Sequence, residues 1–352
     1  MDVEFLIVGQ GISGSWLSYW LHKEDRSFLV IDKGDPTTPS RISAGVINPV
    51  TGRRHVSVWL AEEILPFAWQ NYKTLGTLLG INAISEKKLI DFFPTAQMRQ
   101  SFIKRTEEQC EFIRLPGDEN YFRDHFNYEL GYGEFDPTYT AHLETILPAW
   151  RNFLKLKNTL LEESFEKTAL EFTGDEIMYK SIKASCIIFC DGNSGPEDPW
   201  FGKLPYALNK GEIIFTEIPG LPAAYIYKRS LALVPLAEKD KWWIGSNYAW
   251  EYNDLLPTNK FREETEALLK KWLRLPFTII DHVAGLRPAT IERRPFVGRH
   301  PLYPSLAILN GMGSKGCSLA PYFAKELVDH LLQGKKINSD ADVTRFSRIL
   351  SR

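Results

Sequence analysis

Cysteine is scarce in this chain: Cys110, Cys186, Cys190 and Cys317 are the only four in 352 residues. Just one pair lies close in sequence, and it has three residues between its members inside an apolar run. Neither a disulfide framework nor a zinc knuckle is indicated, and such sparse thiols suit a reducing cytoplasm, where the protein is expected. The seven histidines show no HExxH or other ligand spacing, so no metal site is expected either. An excess of charge of one sign is also missing. A formal net charge of -2, with both signs mixed along the chain, offers no broad basic field to a nucleic-acid backbone and no polybasic arm to a membrane. No stretch reaches the roughly 20 apolar residues that a spanning helix needs. The N-terminus is apolar from Phe5 to Val8, yet it carries Asp2 and Glu4, lacks a basic leader and runs directly into glycines, so it reads as a buried strand. Repeats and low-complexity linkers are absent. The remainder, 44% apolar and 24% charged, is an ordinary globular composition with room for one large or two interleaved domains. A soluble protein handling a small molecule is expected, without nucleic-acid partner or stable membrane insertion.

What the chain does have begins at once. Phe5-Leu6-Ile7-Val8 is a continuous apolar run, as in a parallel strand covered on both faces, and Gly9, Gly11 and Gly14 come next in GxGxxG spacing. Leu17, Trp20 and Leu21 recur at helical intervals, so Gly14 falls in the first turn of an amphipathic helix. In such a turn the first glycine permits the bend, the second lets a pyrophosphate approach the backbone, and the third lets helix and strand pack closely. The helix N-terminus at Ile12 and Ser13 supplies amide donors and the positive end of a dipole. A second apolar run, Phe28-Leu29-Val30-Ile31, ends in Asp32 and Lys33, where an acid can accept hydrogen bonds from an adenosine ribose. Strand, glycines, helix, strand and acid in this order indicate a dinucleotide site. A glycine turn that only packs a strand against a helix leaves Asp32 unexplained.

NAD and FAD sites share that fingerprint, so the choice between them rests on residues further along the chain. Residues 40 to 49, Ser-Arg-Ile-Ser-Ala-Gly-Val-Ile-Asn-Pro, are small and polar where a nicotinamide enzyme continues its βαβ alternation. Far downstream, Gly285-Leu286-Arg287-Pro288-Ala289-Thr290 leads through Pro295-Phe296-Val297-Gly298 to Leu306-Ala307-Ile308-Leu309-Asn310 and a glycine-rich loop from Gly311 to Cys317. With the N-terminal fingerprint, these segments resemble the D-amino-acid oxidase family of FAD enzymes, which includes glycine oxidase and sarcosine oxidase. The resemblance spans Ile7 to Leu327, with weaker pieces at 134–137, 187–192, 210–214 and 243–246 and nothing alignable over 85–130. It implies an α/β fold: a Rossmann-like FAD-binding domain of glutathione-reductase type with an interleaved α+β substrate domain built on a mixed sheet. The FAD-binding domain would be discontinuous, over 1–82, 135–204 and 281–352, and the substrate domain would take 83–134 and 205–280. Local patterning agrees. Leu231 to Pro235 and Trp242 to Gly245 read as neighbouring strands joined by a charged turn, Ser185 to Cys190 as a strand ending in the turn Asp191-Gly192-Asn193, and Phe261 to Leu273 and Leu319 to Leu332 as helices.

Fingerprint and resemblance together place FAD, held noncovalently because Gly285 to Thr290 contains no cysteine, on four groups of residues. These are Gly9, Gly11, Ile12, Ser13, Gly14, Asp32 and Lys33; Ser43, Ala44 and Gly45; Asp191 and Gly192; and Gly311, Gly313, Ser314, Lys315 and Gly316. A helix N-terminus after that last loop would stabilise the charge that gathers on a reduced flavin. The alternative of a phosphate-binding P-loop fails, since Gly311 and Gly316 are followed by Cys317-Ser318 rather than Lys-Ser or Lys-Thr.

Two residues are candidates for chemistry. Arg287, between a glycine and a proline, can grip a carboxylate bidentately, as the family's GLRP-like arginine does; the alternative is a structural ion pair. Lys315 stands where sarcosine-oxidase-like members carry a carboxylate-binding lysine; the alternative is a solvated loop lysine. Met312 replaces a histidine found in many members, and Trp243 replaces the oxygen-activating lysine of sarcosine oxidases, with Lys241 two residues earlier on the same strand face. The electron acceptor is therefore left open between oxygen and another. His282 and His55 read as structural. Tyr225, Tyr227, Trp242, Trp243 and Tyr248 read mostly as core, with one or two walling a cavity. The expected function is oxidation of the C-N bond of a small amine or amino acid of glycine, D-amino-acid or sarcosine type, by hydride transfer to FAD and hydrolysis of the imine. The alternatives are an FAD module acting on a modified tRNA nucleoside, an NAD-dependent dehydrogenase, and a flavin-binding protein without turnover.

Overall fold

The computed structural model describes residues 1–173 and 176–351. Its strands form two large sheets and a two-stranded ribbon. In the first sheet Asp2–Val8 pairs in parallel with Phe28–Ile31 on one side and Ile182–Phe189 on the other, and Ile182–Phe189 pairs in parallel with Leu306–Asn310. Toward their carboxyl ends these strands read as unbroken apolar runs, Phe5–Val8, Phe28–Ile31 and Cys186–Phe189, because both of their faces are covered there. Phe5 and Ile7 join one core together with Trp16 and Leu17 of the helix Ile12–Lys23, whereas Leu6 and Val8 join another with Phe189 and Phe201. Register then defines an edge: Val8 stands beside Ile31 and Phe189, and Phe189 beside Ile308. The chain leaves that edge as Gly9, Asp32 and Cys190-Asp191. Carboxyl ends of parallel strands are where such sheets take ligands.

The second sheet runs, in spatial order, Thr278–Arg287, Asn209–Glu217, Lys241–Gly245, Ala232–Pro235, Tyr225–Lys228, Ile84–Phe92, Tyr132–Ala141 and Val46–Ile47. It is mixed, because Tyr225–Lys228 runs parallel to Ile84–Phe92 while the other neighbours are antiparallel. Strand alternation sorts its residues between two faces. Ile90, Tyr227, Trp242 and Ile244 pack with Trp272 of the helix Asn259–Trp272 on one face. Leu89, Ile226, Val234 and Trp243 share the opposite core with the helix Ile12–Lys23.

The strands expected at 231–235 and 242–245 are Ala232–Pro235 and Lys241–Gly245, paired antiparallel. The two expected helices are Asn259–Trp272 and Gly316–Gln333. The domain cuts expected at 134/135 and 280/281 both fall inside strands of the second sheet, Tyr132–Ala141 and Thr278–Arg287. Among the described residues no helix is long and apolar enough to cross a membrane.

Candidate active site

At the ligand edge of the first sheet the chain turns so tightly that two positions require glycine. Gly9 has a φ of 98°, and a Cβ there would lie 2.6 Å from Cys190 O. A Cβ on Gly14 would lie 1.8 Å from Gly9 O, so loop and helix meet backbone to backbone. Gly11 precedes the helix Ile12–Lys23 and brings no side-chain cap. Ser40 supplies one partner from outside, its Oγ accepting from Ile12 N at 3.0 Å. Asp32, expected to face a ribose, is engaged through both oxygens. Oδ2 accepts from Gln10 N at 2.8 Å, and Oδ1 accepts from Gly34 N and Arg151 Nη1, each at 2.7 Å, with Arg41 Nη2 at 3.5 Å. Its carboxylate thus also ties the glycine loop to two arginines.

A cavity of about 750 Å³ extends from this edge to the second sheet. Gly9, Gly11, Ile12, Ser13, Asp32, Lys33, Ser43, Ala44, Asp191, Gly192, Gly313, Ser314, Lys315, Gly316 and Arg287 all line it. Three expected members do not. Gly14 lies under the loop, Gly45 against Ala141 O and Gly311 against Thr290, where absent side chains let neighbouring segments approach. The N-termini of two helices, Ile12–Lys23 and Gly316–Gln333, face this one cavity, and neither has a side-chain cap from its N-cap residue. Amide donors and the positive ends of both dipoles therefore point at a common space. Beside them, Asn310 Nδ2 donates to Asp191 Oδ1 at 2.9 Å and to Gly192 O at 3.0 Å. Burial, followed by the charge of Asp198, pushes the Asp191 carboxyl up to about 7.

The far wall is the second sheet, and every other residue of five strands faces in: Gly285 and Arg287, Gly211 and Ile213, Trp243 and Gly245, Ala232 and Val234, Ile226 and Lys228. Arg287 ends its strand opposite Asn209. Its Nη1 donates to Asn209 Oδ1 at 2.6 Å, its Nη2 donates to Ser246 Oγ and to Asn247 O, and the guanidinium lies 4.4 Å from the centre of the Tyr248 ring. Gly211 makes the space, since a Cβ there would stand 1.9 Å from Nη2. All these hydrogen-bond partners are neutral, and among the described residues no Asp or Glu forms an ion pair with Arg287, which removes the structural ion-pair reading.

Lys315 is not a solvated loop lysine. Its Nζ donates to Asn48 Oδ1 at 3.0 Å, and burial, followed by the charge of Lys228, brings its ammonium down to about 8. Lys228 faces the same cavity and lies 3.2 Å from each oxygen of Asp91. Asp91 and His55 are fully buried, with His55 Nε2 3.2 Å from Asp91 Oδ2. His282 lies 3.1 Å from Glu212 and does not line the cavity.

A glycine cradle and two helix N-termini, lining one cavity with two cations that lack acidic partners, Arg287 and Lys315, is an arrangement for a nucleotide cofactor beside an anionic small molecule. The model of the FAD-dependent oxidoreductase family DAO matches residues 4–330. This chain belongs to that family. Similar solved structures include glycine oxidase from Geobacillus kaustophilus, at 16% identity and a TM-score of 0.81 over 98% of each chain. Iminodiacetate oxidase from Chelativorans sp. BNC1 matches at 18% identity and 0.77, over 96% of this chain and 99% of that one. L-proline dehydrogenase from P. horikoshii matches at 16% and 0.77, over 99% and 98%. At such identity these likenesses show the fold, while the family shows an FAD-dependent oxidoreductase and decides between the two dinucleotides that the fingerprint allowed.

In this FAD-dependent oxidoreductase, only Trp243 and Tyr248 of the five aromatic candidates line the cavity; Tyr227 and Trp242 are buried on the opposite face, with Tyr225 packed beside them. Trp243 Nε1 donates to Ile42 O at 2.9 Å, while Lys241 lies 3.8 Å from Glu217 and Glu238 and takes no part in the lining. Met312 is buried in the wall. Residues that sequence reasoning passed over are Ser40, Asn48, Lys228 and Ser246. Asn48 lay inside the small-residue segment and could have been flagged; Lys228, one of 42 basic residues, carried no signal of its own.

Proposed function

We propose that this oxidoreductase oxidises the C-N bond of a small amine or amino acid whose carboxylate rests on Arg287. One observation carries the reading: a guanidinium facing the cavity, engaged only with neutral groups. Burial pulls its pKa below the ordinary value, yet an arginine stays charged, so the site is short of an anion. A carboxylate can be held there by the donors left on Nη1 and Nε, or bidentately where it takes the place of Ser246 or Asn247 O on Nη2. The names of the similar structures, two oxidases of glycine and iminodiacetate and a dehydrogenase of L-proline, support a substrate of this type and leave both kinds of acceptor open.

The residues fit FAD. The loop from Gly9 to Ser13 would hold the pyrophosphate, Asp32 with Lys33 the ribose side, and Gly313 to Gly316 the flavin ring, with Ser43, Ala44, Asp191 and Gly192 between. When bound, FAD supplies the acceptor for the two electrons that leave the C-N bond. The chain's own residues orient and exclude water. Arg287 fixes the carboxylate and so places the α-carbon, while Ile213, Val234 and Trp243 keep that part of the cavity apolar. The α-carbon loses a hydride and the nitrogen a proton; water then adds to the imine, releasing a keto acid or aldehyde and ammonia or an amine. In the same reading 1–82, 135–204 and 281–352 form the FAD-binding unit, with the cuts at 134/135 and 280/281 moved to the ends of the strands they interrupt.

The test uses the yellow holoprotein. Anaerobic bleaching of its flavin band by at least one of glycine, sarcosine, the D-amino acids or proline derivatives is expected, and the reading falls if none reduces it. Colour restored by air then marks an oxidase, and colour restored only by a dye marks a dehydrogenase. Denaturation should release FAD into solution; retention on the chain would contradict noncovalent binding.

A further inference from the structure

Arg287 is a charged group engaged only by neutral partners, and the residue after its glycine floor is the opposite case. Glu212 follows Gly211 and points to the other face of the sheet, where it is 2% exposed. Its carboxylate accepts from Thr258 N at 2.6 Å, from Thr258 Oγ1 at 2.9 Å and from Asn247 Nδ2 at 3.3 Å, with His282 Nε2 3.1 Å away. Among the described residues no lysine or arginine forms an ion pair with it. One residue joins the two charges. Asn247 O accepts from Arg287 Nη2 at 3.0 Å, while Asn247 Oδ1 accepts from Glu212 N at 2.7 Å and Asn247 Nδ2 donates to Glu212 Oε1. A bulge puts Asn247 there. Ile213 pairs with Gly245 and Lys210 bridges Ala249, so the two residues Gly211 and Glu212 face three, Ser246, Asn247 and Tyr248. The extra residue brings Ser246 Oγ, Asn247 O and the Tyr248 ring to the guanidinium, and the Asn247 side chain stands in for the ladder at Glu212. A carboxylate placed directly on Arg287 would occupy donors that a ligand needs. Asn247 connects the charges and leaves donors on Nη1 and Nε.

We propose that Glu212 and Asn247 are positioning residues of the substrate site, acting through Arg287. The Glu212 carboxylate fixes the Asn247 side chain, the fixed side chain holds the bulge, and the bulge holds Nη2. The guanidinium then presents its remaining donors to a substrate carboxylate in one place. Neither Glu212 nor Asn247 lines the cavity. A group held in its binding orientation need not be ordered when the ligand arrives, so the pair acts on affinity more than on the rate of the bound state. This rests on the amine-oxidation reading and adds no bond change to it.

The experiment titrates the FAD holoprotein with acetate, propionate and butyrate and follows the flavin spectrum, beside anaerobic reduction by an amine that bleaches it. Asn247→Ala keeps the backbone oxygen and every charge, and removes only the link to Glu212. It is expected to weaken monocarboxylate binding and raise KM about tenfold, as for one hydrogen bond to a charged group, with the limiting rate of flavin reduction within about threefold. In an Arg287→Ala background the same change should alter residual binding by no more than about twofold. Asn247→Asp sets carboxylate against carboxylate and should weaken binding at least as much. Adding Glu212→Gln to Asn247→Asp restores a donor and the original charge of the pair, and should recover wild-type affinity to within about threefold. That recovery involves no truncated side chain, so it decides even if Asn247→Ala does not retain FAD. Unchanged affinity in Asn247→Ala, an equal loss in the Arg287→Ala background, or no recovery in the exchanged pair overturns the positioning role and leaves Arg287 its ligand. Monocarboxylate binding that survives Arg287→Ala unchanged overturns the Arg287 reading and this proposal with it. The titration needs no turnover, so failure of every amine to bleach the flavin is a separate result, and it overturns the amine reading.

Discussion

Replacing Gly211 by alanine tests the site without deleting any of its polar groups. Gly211 does not sit in the left-handed region of φ, so alanine strains no backbone there. The new methyl would stand 1.9 Å from Arg287 Nη2, about 1.5 Å inside the 3.4 Å at which ordinary contact begins. The guanidinium has to give way, yet it is fixed by Asn209, Ser246 and Asn247 O, so it moves only by breaking bonds to some of them. A displacement of that order at a substrate-positioning group costs about a hundredfold in rate constant, or about 2.7 kcal/mol. For Gly211→Ala we expect kcat/KM toward carboxylate substrates to fall by roughly two orders of magnitude, chiefly through KM, with FAD content and Tm near wild type. Arg287→Ala should cost more, about 3–5 kcal/mol, toward the upper part of the range for losing one partner of a charged contact. The two changes act on one contact, so the double variant should match Arg287→Ala to within about 0.5 kcal/mol instead of adding to it. Stopped-flow reduction of the flavin under anaerobic conditions measures all four proteins. An unchanged KM in Gly211→Ala, or full additivity in the double variant, would show that Arg287 does not hold the substrate where the structure places it.

Lys315 is a cation below about 8 and loses its charge above it, so kcat/KM for carboxylate substrates should fall as pH rises through 8. Lys315→Met should lose that limb; a profile identical to wild type would exclude the lysine from substrate binding. Asp191 runs the other way: neutral below about 7 and anionic above, it should weaken binding of the anionic FAD as pH rises past 7. Asp191→Asn should bind FAD with a flat pH profile, and parallel profiles in fluorescence titration of the apoprotein would refute the assignment. Gly14→Ala puts a Cβ 1.8 Å from Gly9 O, backbone that cannot rotate away. Loss of FAD together with destabilisation of at least the 1–3 kcal/mol typical of overpacking is expected, checked by Tm and flavin content.

What could be seen in the sequence is what one strand-turn-helix does by itself. Gly9, Gly14 and Asp32 lie within 24 residues, and their spacing alone carries the close approach and the acid at the strand end. Arg287 was legible because its GLRP segment resembles a family pattern, although its neutral surroundings were not: Asn209 and Ser246 are 78 and 41 residues away. Trp242 and Trp243 show why. An apolar run tells that both are buried, but only pairing with Phe215 and Val234 decides that Trp243 faces the cavity and Trp242 the opposite core. Lys228 was invisible for the same reason, since its partner Asp91 is 137 residues away and meets it only through the parallel register of Tyr225–Lys228 with Ile84–Phe92. The segment around Asp91 resembled nothing alignable, yet it supplies the counter-ion of one of the two lysines that line the cavity with Arg287. Among the described residues Lys228 meets a carboxylate and Lys315 only the Asn48 amide oxygen, and that difference between two lysines on one cavity wall is set by pairings 137 and 267 residues apart in sequence.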